Sequence, residues 1–214
     1  MSNAAEPTRL FLVTPAAMDR QRFPAQLSDA LAGGHVAAVL LSGTADQPSR
    51  DIAEAIVPII QAAGAAALIA EDTRVAGRLG ADGVHIGTGL EDLRSAVQAF
   101  AGKRSVGAGN LHSRHAAMEA AEAGADYVFF GRPHGDTHDE AHGKALDLAE
   151  WWSDLMEIPA VVMAGRSLSS VGEAAATGAA FVALHEAVWS HPGGAGEAIG
   201  LAAEALNGSG RRAA

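Results

Sequence analysis

The stretch GRPHGDTHDEAHGK, residues 131–144, is rich in side chains that bind ions or move protons. His134, His138 and His142 follow one another at intervals of four residues, which would place them on one face of a helix. Gly135 and Gly143 disfavour a helix here, and the spacing matches no zinc-enzyme signature. The stretch is therefore predicted to be a polar loop, with His134 as a candidate proton-transfer group.

Cations stand near both ends of this stretch, and carboxylates lie between them. Arg132 and Lys144 are the pair best suited to bind a small anion, because both donate several hydrogen bonds from a full positive charge. The alternative is that they only balance the charge of the acidic residues Asp136, Asp139 and Glu140 at the surface. The choice between these interpretations depends on where the fold places the stretch.

The composition of the chain excludes several classes of function. The formal net charge of −10 disfavours nucleic acid and anionic membrane surfaces as partners. The 214 residues contain no cysteine, which rules out disulfides, thiolate zinc sites and cysteine nucleophiles. No apolar run approaches the roughly 20 residues that span a bilayer, and residues 1–9 lack the apolar core of a secretory signal. A cytoplasmic protein is therefore expected, and the sequence allows a homo-oligomer without indicating one.

Eight short apolar runs recur along the chain. They are continuously apolar rather than alternating, which is typical of parallel strands that are buried on both faces. Amphipathic, helix-like stretches separate the runs, and glycines that commonly end helices precede several of them. The runs are residues 9–15, 36–43, 66–72, 83–87, 104–110, 127–133, 159–165 and 181–187.

A strand and a helix repeated eight times in about 200 residues predict a single (β/α)8 TIM barrel, an α/β fold. The domain is expected to span residues 1–214, with an ordered core over about 9–207. An open, doubly wound sheet is the alternative. The GxGxxG signature of dinucleotide-binding sheets is absent after the first run, where VTPAAMDRQ stands instead, and no organic cofactor is expected.

In such a barrel the active site lies where the strands end. Glu71 and Asp72 end the third predicted strand, and adjacent residues point to opposite sides of a strand, so at most one of them faces the barrel mouth. That carboxylate could bind magnesium or act as a general base, whereas Asp72 could instead cap the helix that follows. His85, inside the fourth predicted strand, is interpreted as a buried structural histidine.

Several segments together resemble the thiamine phosphate synthase and thiazole tautomerase superfamily over roughly residues 9–190. They include LFLVTP, AAALIAEDTRVAGRLGADGVHIG, GADYVFFG, PAVVMAG and TGAAFVALHEAV. The resemblance implies a barrel that joins a phosphorylated thiazole to a pyrimidine with loss of pyrophosphate, aided by Mg2+. It implies that the metal-binding carboxylates are Glu71 or Asp72, together with Asp92.

In the tautomerase branch of this superfamily, a histidine after the sixth strand moves a proton on the thiazole phosphate without a metal. Arg132 stands at the aligned position in this chain, His134 follows two residues later, and His112 follows the fifth strand. The resemblance therefore makes His134 or His112 the candidate acid–base group. In the synthase reaction, Arg132 and Lys144 would stabilise the departing pyrophosphate.

The resemblance also implies a phosphate-binding corner after the seventh and eighth strands, where the family has two glycines and a serine. Glu186 stands at the place of the serine and would repel a phosphate unless Arg166 pairs with it. The residues predicted to contact the substrate are His112, Gly131, Gly165, Arg166, Ser167 and Glu186.

The chain also differs from the synthases after the second strand. The synthases carry Gln-x-Arg-x-Lys there to hold pyrophosphate, and this chain carries VLLSGT, residues 39–44, without a cation. Two alternatives to a synthase follow. One is an isomerase similar to the tautomerases, and the other is a catalytically retired barrel that binds a small anion or a protein partner.

Overall fold

The computed structural model of the chain describes residues 7–42, 47–100 and 102–210. Eight parallel strands close into a barrel, each paired with its neighbours in chain order, and the prediction of a single (β/α)8 barrel is confirmed. The strands are β1 (Arg9–Val13), β2 (Val36–Leu41), β3 (Ala66–Ala70), β4 (Gly83–Ile86), β5 (Ser105–Ala108), β6 (Tyr127–Phe130), β7 (Ala160–Met163) and β8 (Phe181–Leu184).

Every predicted strand contains an observed one, but the observed strands are shorter at their carboxyl ends. The polar residues that end the predicted runs leave the sheet and enter the loops that carry the candidate site. Residues 43 and 44 of the segment VLLSGT lie outside the described residues, as do residues 1–6 and 211–214, which flank the predicted ordered core.

Helices follow the strands and cover the outside of the barrel. They are α1 (Phe23–Leu31), α2 (Gln47–Ala62), α3 (Thr73–Leu79), α4 (Leu90–Phe100), α5 (Arg114–Glu122), α6 (Gly143–Leu155), α7 (Val171–Ala176), α8 (Glu186–Trp189) and α9 (Ala195–Gly210). Residues 131–142 form no helix, as the glycines of this stretch predicted, and α6 begins only at Gly143.

The apolar side chains form two separate clusters because successive residues of a strand point to opposite faces. On β1, Leu10 and Leu12 point outward into the layer between strands and helices. Phe11 and Val13 point inward, where they pack with Phe129 and other interior residues. The barrel interior is thus a filled core, and a ligand can enter only above it, at the carboxyl ends of the strands.

Small residues on β5 make room for the largest interior side chain. A Cβ atom on Gly107 would collide with the ring of Tyr127, which projects from the neighbouring strand β6. The Tyr127 ring in turn contacts Phe11, with 6.0 Å between ring centroids. None of the described helices has the length and apolarity required to cross a membrane.

Candidate functional site

Among the described residues, two cavities at the carboxyl ends of the strands are lined by predicted site residues. The larger one, of about 710 Å³, lies beneath the loop between β6 and α6, and the smaller one, of about 360 Å³, lies at the barrel mouth. Arg132 and His134 border both cavities. The larger cavity is also lined by the predicted site residues His112, Gly131 and Lys144. The structure therefore brings together the cations and histidines that the sequence singled out.

His134 reaches from the β6–α6 loop to the ends of β1 and β2. Its Nε2 atom lies 3.0 Å from Ser42 Oγ and 3.2 Å from the carbonyl oxygen of Thr14. Burial of part of its ring lowers the pKa of His134, and the neighbouring His185 lowers it further. His134 is therefore held in the neutral form near pH 7, in which one ring nitrogen can accept a proton.

His185 and Asp136 form a second polar unit beside His134. His185 Nδ1 lies 3.0 Å from Asp136 Oδ1, and the backbone N–H of Glu186 donates to Asp136 Oδ2 at 2.6 Å. The Asp136 side chain is only 3% exposed. Burial alone would raise the pKa of Asp136, but the hydrogen bonds from His185 and Glu186 lower it below its ordinary value. Asp136 is therefore a buried carboxylate that keeps its charge.

The rule that strand ends carry the active site placed Ser42, His185 and the loop that contains Asp136 among the candidate positions, but sequence reasoning assigned none of these three residues a role in the site. Ser42 and His185 each follow the last residue of a strand, at the carboxyl end of the barrel. That position was the available signal for both of them, because this face carries the active site of such barrels. Asp136 lies in the loop that the sequence singled out, but its contact with His185 depends on the path of that loop and had no comparable signal.

The three carboxylates predicted to bind a metal occupy different environments. Asp72 caps α3, where its Oδ1 accepts from the backbone N–H groups of Arg74 and Val75 at 3.0 and 2.8 Å. Glu71 Oε1 accepts from the backbone N–H of Gly87 at 2.9 Å. Partial burial raises the pKa of Glu71, and the charge of Asp92, in the first turn of α4, raises it further. The charge of Asp92 therefore acts on Glu71, whereas the Asp72 carboxylate is bound to the backbone of α3.

In the described part of the chain, no three histidine or acidic side chains form a cluster that could hold a metal ion by themselves. Glu71 also adopts a left-handed backbone conformation with φ 61°, which is uncommon for a residue with a side chain. This conformation directs the chain out of β3 and into the mouth, where Glu71 lines the smaller cavity.

The corner after β7 and β8 is covered by the β6–α6 loop. Arg166 Nε lies 3.5 Å from Asp139 Oδ1, and Glu186 Oε1 accepts from Ser190 Oγ at 2.6 Å. The ion pair between Arg166 and Glu186 that the sequence allowed is replaced by these two contacts. Ser167, which was predicted to contact the substrate, caps the short helical turn that follows β7.

His85 is buried at the centre of the barrel, 2% exposed. Its Nδ1 atom lies 3.1 Å from the hydroxyl of Tyr127, and the two rings stack. Its Nε2 atom has no hydrogen-bond partner among the described residues, and burial lowers the pKa of His85 to about 4. His85 is thus buried, as the sequence predicted, and one of its two ring nitrogens has a hydrogen-bond partner among the described residues.

The fold and these residues define a (β/α)8 barrel with cavities bordered by polar side chains at the carboxyl ends of its strands. Comparison with known families refines this class. The family model of thiamine monophosphate synthase matches residues 10–188, and the chain belongs to this family, as the resemblance predicted.

Individual relatives agree with this assignment. A thiamine-phosphate synthase of Rhodospirillum centenum is 36% identical over 196 residues, which cover 89% of this chain and 94% of the relative. A thiamine-phosphate synthase of Hyphomonas neptunium is 34% identical over 210 residues, covering 93% of this chain and 95% of the relative. The solved structure of a thiamine phosphate pyrophosphorylase from Pyrococcus furiosus has the same fold, with a TM-score of 0.74 and 21% identity, and the alignment covers 97% of this chain and 99% of that one.

Proposed function

We propose that the protein is a transferase that joins a phosphorylated thiazole to a pyrimidine pyrophosphate and releases pyrophosphate. The observation that carries the proposal is the smaller cavity at the barrel mouth, which Glu71 borders together with Arg132 and His134. The same cavity is thus lined by Glu71, whose carboxylate can bind a metal cation, and by Arg132, whose guanidinium group can bind a phosphate. This is the arrangement that a reaction releasing pyrophosphate needs.

Magnesium fits the carboxylates on the β3 and β4 side of the mouth. Mg2+ prefers oxygen ligands and commonly takes one or two protein carboxylates together with substrate phosphates. Glu71 and Asp92 would be those carboxylates, because the negative charge of Asp92 adds to the cost of charging Glu71, a cost that a divalent cation removes. Asp72, whose carboxylate caps α3, is left out of the metal site. The cation would neutralise the pyrophosphate group when it is bound.

Arg132 and Lys144 are proposed to bind the pyrophosphate as it leaves. Both are exposed and both line the larger cavity, so their charged ends can reach an anion that enters from solvent. The negative charge on the phosphate oxygens increases when the bond to the pyrimidine breaks, and fixed cations stabilise that charge. His134 and His112, on the same cavity, remain the candidates for proton transfer and substrate contact.

The test is turnover of thiazole phosphate and pyrimidine pyrophosphate by the purified protein, with and without Mg2+. The expected result is magnesium-dependent release of pyrophosphate, reduced at least about tenfold by Arg132→Ala. The conservative variant Arg132→Lys should retain part of the rate. Absence of thiazole phosphate binding at millimolar concentration would contradict the proposal.

A second candidate function is proton transfer on thiazole phosphate alone, as in the tautomerases. The observation that favours it is the neutral His134, held against Ser42 and Thr14 and beside the His185–Asp136 unit. Proton NMR in D2O separates the two functions. An isomerase would exchange a thiazole proton without Mg2+ and without the pyrimidine. Binding without either reaction would support the retired barrel.

A further inference from the structure

One segment of the β6–α6 loop, residues 136–140, lies along the corner formed by the ends of β7 and β8, and we call it the strap. The backbone N–H of Arg166 donates to the carbonyl oxygen of His138 at 2.7 Å, and that of Ser167 donates to the carbonyl oxygen of Asp139 at 3.2 Å. The backbone N–H of Glu186 donates to the Asp136 carboxylate. The strap thus accepts hydrogen bonds from three backbone donors of this corner.

The Asp136 carboxylate is the charged part of this contact. It is buried and receives hydrogen bonds from His185 Nδ1 at 3.0 Å and from Glu186 at 2.6 Å. Two hydrogen-bond donors that hold a buried carboxylate could hold the oxygens of a phosphate in the same way. Asp136 therefore supplies from within the chain the negative charge that a ligand would otherwise bring.

Close packing fixes the strap in this place. Gly165 is buried, and a Cβ atom on it would collide with the backbone of Asp139 and Glu140. The strap can lie against the segment that follows β7 only because residue 165 has no side chain. Because the strap touches residues 165–167 directly, no ligand fits between the strap and the backbone of this corner while the strap is in place.

We propose that the strap is an autoinhibitory segment, in which Asp136 occupies the place of a phosphate monoester that must displace it in order to bind. Opening of the strap would free the N–H groups of Arg166, Ser167 and Glu186 for the phosphate oxygens. The carboxylate of Glu186 accepts a hydrogen bond from Ser190 Oγ and takes no part in this contact. The inference rests on the proposed function in one respect, namely that the natural ligand carries a phosphate.

The experiment is a titration of the protein with inorganic phosphate, followed by NMR of the backbone amide signals of Arg166, Ser167 and Glu186. Asp136→Ala removes the internal anion. Asp136→Asn keeps its volume and one acceptor oxygen while removing its charge, so it tests the proposal if the alanine variant does not fold. Glu140→Ala removes the same charge from an exposed position of the same loop and serves as the matched control.

We expect Asp136→Ala to bind phosphate at least about tenfold more tightly than the unmodified protein, since a bound competitor has been removed. Asp136→Asn should fall between the two, and Glu140→Ala should match the unmodified protein. Equal affinities in all four proteins would overturn the proposal, and so would an equal gain in Glu140→Ala, which would indicate a general effect of net charge. The titration involves no turnover, so failure of the synthase reaction leaves its outcome unaffected.

Discussion

The rings of His134 and His185 meet edge to face at the barrel mouth, with 4.8 Å between their centroids and an angle of 89° between their planes. The two residues come from different loops, and each has its own hydrogen-bond partners on the barrel. A positive charge on either ring would repel a positive charge on the other. The contact therefore favours a neutral His134 next to a His185 that is bound to Asp136.

Replacement of His134 tests this arrangement. The variant His134→Gln keeps hydrogen-bonding atoms near Ser42 but cannot accept a proton. We therefore expect turnover of thiazole phosphate to fall by about 10²- to 10⁴-fold, the range for loss of a general acid or base. Substrate affinity should change little. His142→Gln, an exposed position of the same loop, is the control, and equal losses in both variants would contradict a specific role of His134.

The architecture could be predicted because it depends on local patterns. Continuous apolar runs such as VAAVLL in β2 identify buried parallel strands, and glycines such as Gly80 and Gly124, both with positive φ, mark the residues between helix and strand. These signals lie within a few residues of the structure that they specify.

The site could be predicted only in part, because its contacts join distant residues. Arg132, His134 and Lys144 were found from the composition of one loop and from the rule that strand ends carry the chemistry. The bond between His185 and Asp136 spans 49 residues of sequence and depends on the path of that loop. Local pattern contains no information about such a contact, so the autoinhibitory strap became visible only in three dimensions.

Glu71 and Asp72 provide a matched test of the magnesium site, because they are adjacent but have different partners. Glu71→Gln should weaken Mg2+ binding at least about tenfold, measured by calorimetry in the presence of inorganic pyrophosphate. Asp72→Ala should leave Mg2+ binding unchanged and lower the free energy of unfolding by about 1 kcal/mol, since it removes a helix cap. The opposite assignment of the two effects would show that Asp72 holds the metal.

Burial of His85 is expected to make the stability of the protein depend on pH. Its pKa is lowered to about 4 by burial, from an ordinary value of 6.5. Above the ordinary value the residue is neutral in both the folded and the unfolded chain, and it makes no contribution to the pH dependence. Between these two values the unfolded chain binds a proton that the folded protein does not, so stability falls as the pH falls, by roughly 3 kcal/mol in all.

Urea unfolding of the protein and of His85→Gln, compared at about pH 7 and about pH 4.5, measures this contribution. Glutamine keeps a polar partner for Tyr127 but does not titrate. The variant should therefore lose less stability than the unmodified protein over this interval. Parallel losses in the two proteins would show that His85 takes up a proton as easily in the folded as in the unfolded chain.

A side chain at position 107 is expected to disturb the packing of the barrel interior. Alanine at this position would place its Cβ atom against the far end of the Tyr127 ring, so Gly107→Ala should lower the free energy of unfolding by about 3 kcal/mol, the upper part of the range for overpacking. The control is Gly200→Ala on α9, where nothing lies within 4 Å of the added atom, and which should stabilise the helix by roughly 0.5–1 kcal/mol.

The double variant Gly107→Ala with Tyr127→Leu separates the steric cause from others. Leucine is shorter than tyrosine and leaves free the space that the ring end occupied, so the cost of Gly107→Ala should be smaller in this background. Thermal unfolding followed by circular dichroism gives the coupling between the two positions. An additive pair would mean that Gly107 is required for a reason other than contact with Tyr127, because residues in direct contact are the ones that show such coupling.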